Sequence, residues 1–469
     1  MCFPVRAAAK VYGARTLNCY FITNSVSDDC RLSALNLVIH LPLNTGTDAK
    51  SFRNRGCLHR LEDRGGVLGS VMNTQWMGSV WPIKRWAWAA LVLAVAVWAW
   101  REGPKPGALG MVAVMRHEAA VQGLQARLPR CALEVQPDGL TVVMEQSDWS
   151  AAMRCAAALW VAPGVVSAER NRTVAVAGWW RPSGDAAAGW HWDQVQWAQA
   201  MRWSTGRGVT IAVVDSGVDA HHPDLQGLVL PGLHALEPGA PTMDERGHGT
   251  AVAGVAVASF ARQAQRVQLH ERARILPVKV TRGQEPVTLG QIARGIQLAA
   301  DAGAQVVNVS YEGLTESPTI RAAAQYLHRG QGLLVVPAGN KGVNPGWSRS
   351  PWMVAVGATD ERDRRPAWAS YGWHLSLAAP GAHIATLRPG GGYTRVSGSS
   401  YAAPMVAGVM ALMMALDPDA PPERIERLLL ESSRDLGVPG PDIEFGHGRL
   451  DAAAAVEAVR QQMGRDKER

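Results

Sequence analysis

From about residue 190 to residue 459, short apolar runs alternate with longer stretches of helical spacing. The runs at 209–214, 275–280, 306–309, 333–336 and 353–356 are rich in Val, Ile and Leu with few polar breaks. Strands buried on both faces look like this. The stretches 290–302, 317–329 and 402–416 read as helices. Strands separated by helices predict βαβ units: an α/β fold with a doubly wound parallel sheet and helices on both faces. Ligands in such sheets bind beyond the carboxyl ends of the strands. Asp215 and the Asn308 and Asn340 loops all follow predicted strands, so they should gather on that edge.

Upstream, residues 108–178 show a different rhythm. Helical spacing at 113–128 precedes two strands within 133–143 around the turn Pro137-Asp138-Gly139. A second helix is expected at 149–161, and a last strand from 163 towards 176. This is the pattern of a small α+β module. Before it, Lys84 and Arg85 lead into the uninterrupted apolar run 86–100, flanked by Trp81, Trp86, Trp88, Trp98 and Trp100. The run has signal-peptide length and falls short of the ~20 residues of a membrane-spanning helix. Segment 81–102 is therefore read as a signal peptide or an uncleaved signal-anchor helix, which would hold the chain in the membrane through 86–100. Positive-inside logic puts everything after Trp100 outside the cytoplasm. The linker Gly103-Pro-Lys-Pro-Gly107 follows, and residues 461–469 read as a charged tail.

Composition narrows this little. The chain has 469 residues, 47% hydrophobic and 19% charged, as globular proteins do. Of its net charge of +7, residues 1–80 alone contribute +4. No basic helix with interleaved aromatics occurs, so a nucleic-acid partner is not expected. Residues 1–71 lack periodicity and hold four of the six cysteines, which marks them as a doubtful or disordered extension. Translation is expected to start at Met72 or Met77 instead. Cys131 and Cys155 either pair in an oxidising compartment or remain buried thiols; both readings stay open.

Three motifs carry the chemistry: Val-Val-Asp215-Ser-Gly, Gly-His248-Gly-Thr and Gly-Ser-Ser400-Tyr-Ala-Ala-Pro. Each alone has a structural explanation, as a turn aspartate, a histidine at a helix start or a serine N-cap. Those explanations leave the flanking glycines unaccounted for, and glycine is what lets backbone approach a crowded centre. Together the motifs supply a carboxylate, an imidazole and a hydroxyl, the parts of an activated serine nucleophile.

These residues resemble the subtilisin family of serine proteases in order and context. Further likeness lies in Trp192-Asp-Gln-Val-Gln-Trp-Ala, Val214-Asp-Ser-Gly-Val-Asp-Ala-His-His-Pro-Asp-Leu225, Pro277-Val-Lys-Val280, Val307-Asn-Val-Ser310, Ala379-Pro-Gly381 and Phe445-Gly-His-Gly-Arg-Leu-Asp-Ala452. The resemblance implies a catalytic domain over 190–460 that hydrolyses protein or peptide substrates. It gives Ser400 the role of nucleophile, His248 that of base and Asp215 that of orienting acid. The Asn340 side chain and the Ser400 backbone N–H would form the oxyanion hole. Module 108–178 would be a propeptide, an inhibitor within the same chain. Leu159-Trp-Val-Ala-Pro-Gly-Val-Val-Ser-Ala-Glu169 resembles the end of such modules, with a cut expected between Val174 and about Gly189. The wall of the substrate pocket would be Ser310, Tyr311, Glu312 and Gly313, where the family commonly has Ser-Leu-Gly-Gly. Glu312 replaces a usual glycine, and a carboxylate there would favour basic side chains before the scissile bond. Tyr401 stands where methionine is commoner.

Catalysis by this chemistry requires no cofactor. Structural calcium is common in the family, but residues 258–274 carry Arg262, Arg266 and Arg272 in place of an Asn/Asp-rich loop. No high-affinity calcium site is expected there, while sites made of backbone carbonyls stay open. Two alternatives remain: a catalytically silent binding protein on the same fold, and a doubly wound nucleotide-binding module. The second would need a Gly-rich phosphate loop after an early strand, and Asp-Ser-Gly-Val-Asp after Val214 is not one.

Overall fold

The computed structural model describes residues 19–21, 37–39, 109–146, 149–176, 179–181, 189–257 and 271–468. The chain divides into two units, 1–95 and 96–469. In the first, Cys19–Phe21 (β1) pairs antiparallel with Leu37–Ile39 (β2). Met72, Met77 and the apolar run 86–100 lie outside the described residues.

The second unit begins with Leu109–Met115 (β3), Glu118–Arg127 (α1), Leu133–Val135 (β4), Thr141–Gln146 (β5), Trp149–Trp160 (α2) and Val165–Arg170 (β6). The strands form an antiparallel sheet in the order β4-β5-β3-β6. The helix expected from residue 113 starts only at 118. Residues 109–115 are instead a central strand, with hydrogen-bonded neighbours on both sides and Val112, Ala113 and Met115 buried. The helix is launched by His117, whose Nδ1 accepts the Ala120 N–H. The Pro-Asp-Gly turn forms as expected, with Asp138 accepting the N–H groups of Leu140 and Thr141. One small buried cluster holds Ala113, Met115, Val121, Leu124, Val142 and Leu159. A Cys131–Cys155 disulfide ties the segment after α1 to α2.

Two short strands follow, Thr173–Val174 (β7) and Trp179–Arg181 (β8). Short helices Trp190–Gln194 (α3) and Trp197–Ala200 (α4) lead to Thr210–Asp215 (β9), Leu233–His234 (β10), His248–Ala256 (α5) and Arg274–Lys279 (β11). Next come Val287–Thr288 (β12), Leu289–Asp301 (α6), Val306–Val309 (β13), Pro318–Arg329 (α7), Leu333–Pro337 (β14) and Met353–Thr359 (β15). The chain ends through Leu377–Pro380 (β16), Ile384–Leu387 (β17), Tyr393–Ser397 (β18), Ser399–Leu416 (α8), Pro422–Glu431 (α9) and Ala452–Lys467 (α10).

Seven strands make one parallel sheet in the order β10-β11-β9-β13-β14-β15-β16. Five were expected from the sequence; the other two, β10 and β16, are its edges. One face is covered by α5 and α8, which pack with Ile211 and Val213; the other by α6 and α7, which pack with Ala212 and Val214. Consecutive residues of β9 thus feed opposite cores, which explains its unbroken apolar run. Strand order reverses about β9, whose neighbours are β11 and β13, and a crevice opens at such a switch point. Helix α8 is long and apolar enough to cross a membrane by length and composition, but it is a core helix with nearly all of it buried. The expected boundary at 460 is not a structural one, since α10 runs through it to Lys467.

Candidate active site

Asp215 ends β9, fully buried at the crevice. Both its carboxylate oxygens lie 2.9 Å from His248 Nδ1, and Oδ1 also accepts the Ser216 N–H at 2.7 Å. His248 opens α5, and its Nε2 lies 3.3 Å from Ser400 Oγ in the first turn of α8. A carboxylate, an imidazole and a hydroxyl from three distant segments therefore form one buried line. The Tyr401 ring packs 5.3 Å from the imidazole. Burial, then the charges of Asp215 and Asp244, push its hydroxyl pKa well up, so it stays neutral.

The glycines serve this approach. Gly247 precedes α5 at φ +86°, and a Cβ on Gly249 would sit 2.1 Å from the Gly217 carbonyl oxygen. Asp244, which the sequence reading missed, builds the turn. It accepts the N–H groups of Arg246, Gly247 and Thr250 and the hydroxyls of Thr250 and Ser216. An acid just ahead of a helix start was the available signal.

Asn340 follows β14. Its Oδ1 accepts from the Ser399 N–H at 2.9 Å and the Ser399 hydroxyl at 2.8 Å. Its Nδ2 is buried and has no hydrogen-bond partner. Such orphans are rare in folded proteins.

The four expected wall residues play unequal parts. Ser310 Oγ donates to the Ser400 carbonyl at 3.0 Å and accepts from Asn308 Nδ2. The Tyr311 side chain belongs to the core, and burial raises its pKa. Glu312 Oε1 accepts the Asn340 backbone N–H at 3.0 Å, and Oε2 lies 3.9 Å from Lys341 Nζ. Gly313, at φ +69°, offers its carbonyl to Arg172.

An upstream segment of the chain lies against these residues. Glu312 N–H donates to the Ala175 carbonyl at 2.9 Å, and Val176 bridges antiparallel to Tyr311. On its other side this segment pairs antiparallel with β12, Val174 opposite Val287. β7 and β12 thus form a two-stranded sheet, and Val176 just beyond it makes a single bridge to Tyr311. Past Val176, β8 pairs antiparallel with β18, Trp179 opposite Ser397, three residues before Ser400. The module also docks on helix ends. Glu169 accepts from the Ser317 hydroxyl and Thr319 N–H at the start of α7, and Asn171 Oδ1 accepts the Gly290 N–H at the start of α6. The short length of β7 and β8 hid this path from the sequence.

Among the described residues, no cluster of three or more His, Cys, Asp or Glu side chains could hold a metal ion. Residues 258–270, including Arg262 and Arg266, lie outside the description; Arg272 is buried and donates to the Val257 carbonyl.

A family model described as the subtilase family, Peptidase S8, matches residues 206–448, and the chain belongs to that family. Subtilisin-like protease 9 from Arthroderma otae is 35% identical over 247 residues, covering 50% of this chain and 59% of that protein. Thermitase from Thermoactinomyces vulgaris is 32% identical over 268 residues, covering 56% and 94%. Among solved structures, fervidolysin from Fervidobacterium pennivorans, a keratinolytic enzyme related to subtilisin, superposes with a TM-score of 0.60. At 23% identity, with 76% of this chain and 62% of that one covered, it shares the fold.

Proposed function

We propose that the protein is a serine endopeptidase, made as a zymogen, that hydrolyses protein or peptide substrates. The buried line Asp215–His248–Ser400 carries the reading. Ser400 Oγ attacks the carbonyl carbon while His248 Nε2 takes its proton. That proton then goes to the leaving amine, giving an acyl-enzyme that water hydrolyses by the same relay. Asp215 holds Nδ1 protonated and stabilises the imidazolium. Asn340 Nδ2, with the Ser400 backbone N–H, receives the negative charge on the oxygen.

The occupied groove supports the zymogen reading: the chain binds on both sides of Ser400 in the manner of a substrate. Maturation is expected to cut between Val176 and Trp179, the two residues whose pairings bracket the nucleophile. The Cys131–Cys155 bond supports export, because disulfides persist in oxidising compartments. Whether segment 81–102 is removed or anchors the protein belongs to the same proposal.

Fluorophosphonate labelling of the purified chain from Gly103, beside Ser400→Ala, tests it. Labelling of the wild type alone, on a band whose N-terminus falls within 177–179, is the expected result. A folded, processed wild type that takes no label would overturn it in favour of a silent binding protein.

A further inference from the structure

Glu312 stands where this family commonly carries glycine, and its side chain is only 16% exposed. A carboxylate drawn so far out of water needs partners. It has two, and both lie on the oxyanion loop: the Asn340 N–H at 3.0 Å and the Lys341 ammonium at 3.9 Å. The Asn340 peptide is therefore gripped at its N–H by Glu312, while its side-chain oxygen is gripped twice by Ser399. With N–H and Oδ1 both committed, Nδ2 is the one side-chain group left to offer, and it is the buried donor without a partner.

We propose that Glu312 is a positioning residue: it fixes the Asn340 backbone so that Nδ2 is held ready for the oxyanion, and it does not select basic substrates. The same residue joins that loop to the substrate strand, since its own N–H bonds the Ala175 carbonyl in the groove. A peptide replacing residues 172–176 would hold the Glu312 backbone in the same way. Substrate binding and oxyanion geometry then share one anchor. The Asn340 N–H bonds Oε1 and the Lys341 ammonium lies 3.9 Å from Oε2, which reduces the negative potential left to attract a guanidinium. The interaction belongs to the transition state, where charge develops, so the effect falls on kcat and leaves KM alone.

This rests on Asn340 acting as proposed above, and labelling separates the two ideas: a wild type that labels while Ser400→Ala does not secures the chemistry first. Kinetics are then measured per labelled site for Glu312→Ala, Glu312→Gln, Asn340→Ala and the double variant Glu312→Ala/Asn340→Ala. Glu312→Ala should lower kcat about tenfold with KM within twofold, short of the ~10²–10³ that follows loss of the oxyanion donor itself. Glu312→Gln, which keeps an acceptor oxygen, should recover most of that loss. In the Asn340→Ala background, Glu312→Ala should cost less than a further twofold, because there is no amide left to aim. If Glu312→Ala does not fold, Glu312→Gly restores the residue common at this position and carries the same expectation. A full tenfold loss on top of Asn340→Ala would overturn the proposal. So would an unchanged kcat with a raised KM for peptides bearing Arg before the cleaved bond.

Discussion

The catalytic domain and the module before it solve stability in opposite ways. The domain buries two extensive apolar layers, one on each face of its seven-stranded sheet. The module has one small apolar cluster of six buried side chains, a disulfide and borrowed contacts. Glu134 pairs with Arg294, Glu169 and Asn171 cap two helices of the domain, and β7 pairs with β12 there. A core of that size is marginal alone, so the module is held by what it docks on. If the module is released as proposed above, it should be stable while attached and weak once cut.

The largest expected effect lies in the domain. His191 is fully buried beside Trp192, and neither ring nitrogen has a partner. Burial, with the charge of Arg395 second, lowers its pKa to about 3. A histidine that must stay neutral when folded binds fewer protons than in the unfolded chain. Its contribution is fully present above pH 6.5 and is lost as pH falls towards 3, on the order of 1.4 kcal/mol per pH unit within that window. Acid titration of the mature domain should show this slope, and His191→Gln should flatten it. An unchanged slope would place the acid sensitivity elsewhere. The next effect lies in the module. Removing the disulfide with Cys131→Ser and Cys155→Ser should cost it about 3 kcal/mol. The melting temperature of the processed domain should not move; a shift there would break the contrast between the regions.

The two regions were also unequally legible. Asp215, His248, Ser400 and Asn340 could be picked out because close backbone approach demanded glycines around them, and those glycines stand beside them in sequence. Strands β9, β11, β13, β14 and β15 announced themselves as unbroken apolar runs, since each feeds both cores. The edges β10 and β16 did not: β10 has two residues, and β16 reads Leu-Ala-Ala-Pro, without β-branched side chains. In the module only the start of the helix expected over 113–128 gave way to a strand, because pairing on both sides of 109–115 outweighs helical spacing. The path of 172–181 was unreadable for another reason. Its partners, Val287, Tyr311 and Ser397, are more than a hundred residues away, and nothing local marks the pairing. Asp244 escaped, and Glu312 was read only as a pocket wall, because their bonds to backbone N–H groups are not revealed by residue type alone.

The smallest effect sharpens the comparison most. Glu169 places a carboxylate at the start of α7, where the first N–H groups lack partners within the helix and the helix dipole favours negative charge. Before release Glu169 satisfies the Thr319 N–H; after release water can. The bond therefore stabilises the attached state and not the mature domain. In the Ser400→Ala chain, where the module stays in place, Glu169→Ala should weaken docking by about 1 kcal/mol. Exchange of the Thr319 amide hydrogen should then quicken roughly fivefold, by the same free energy. Glu169→Gln, which keeps the oxygen and loses the charge, should fall between the two. On the proposed maturation Glu169 leaves with the module, so the variant should yield a mature domain with wild-type melting temperature and kcat. A mature domain that still differed would mean that the module shapes the domain permanently, and the two regions could not be treated as separable parts.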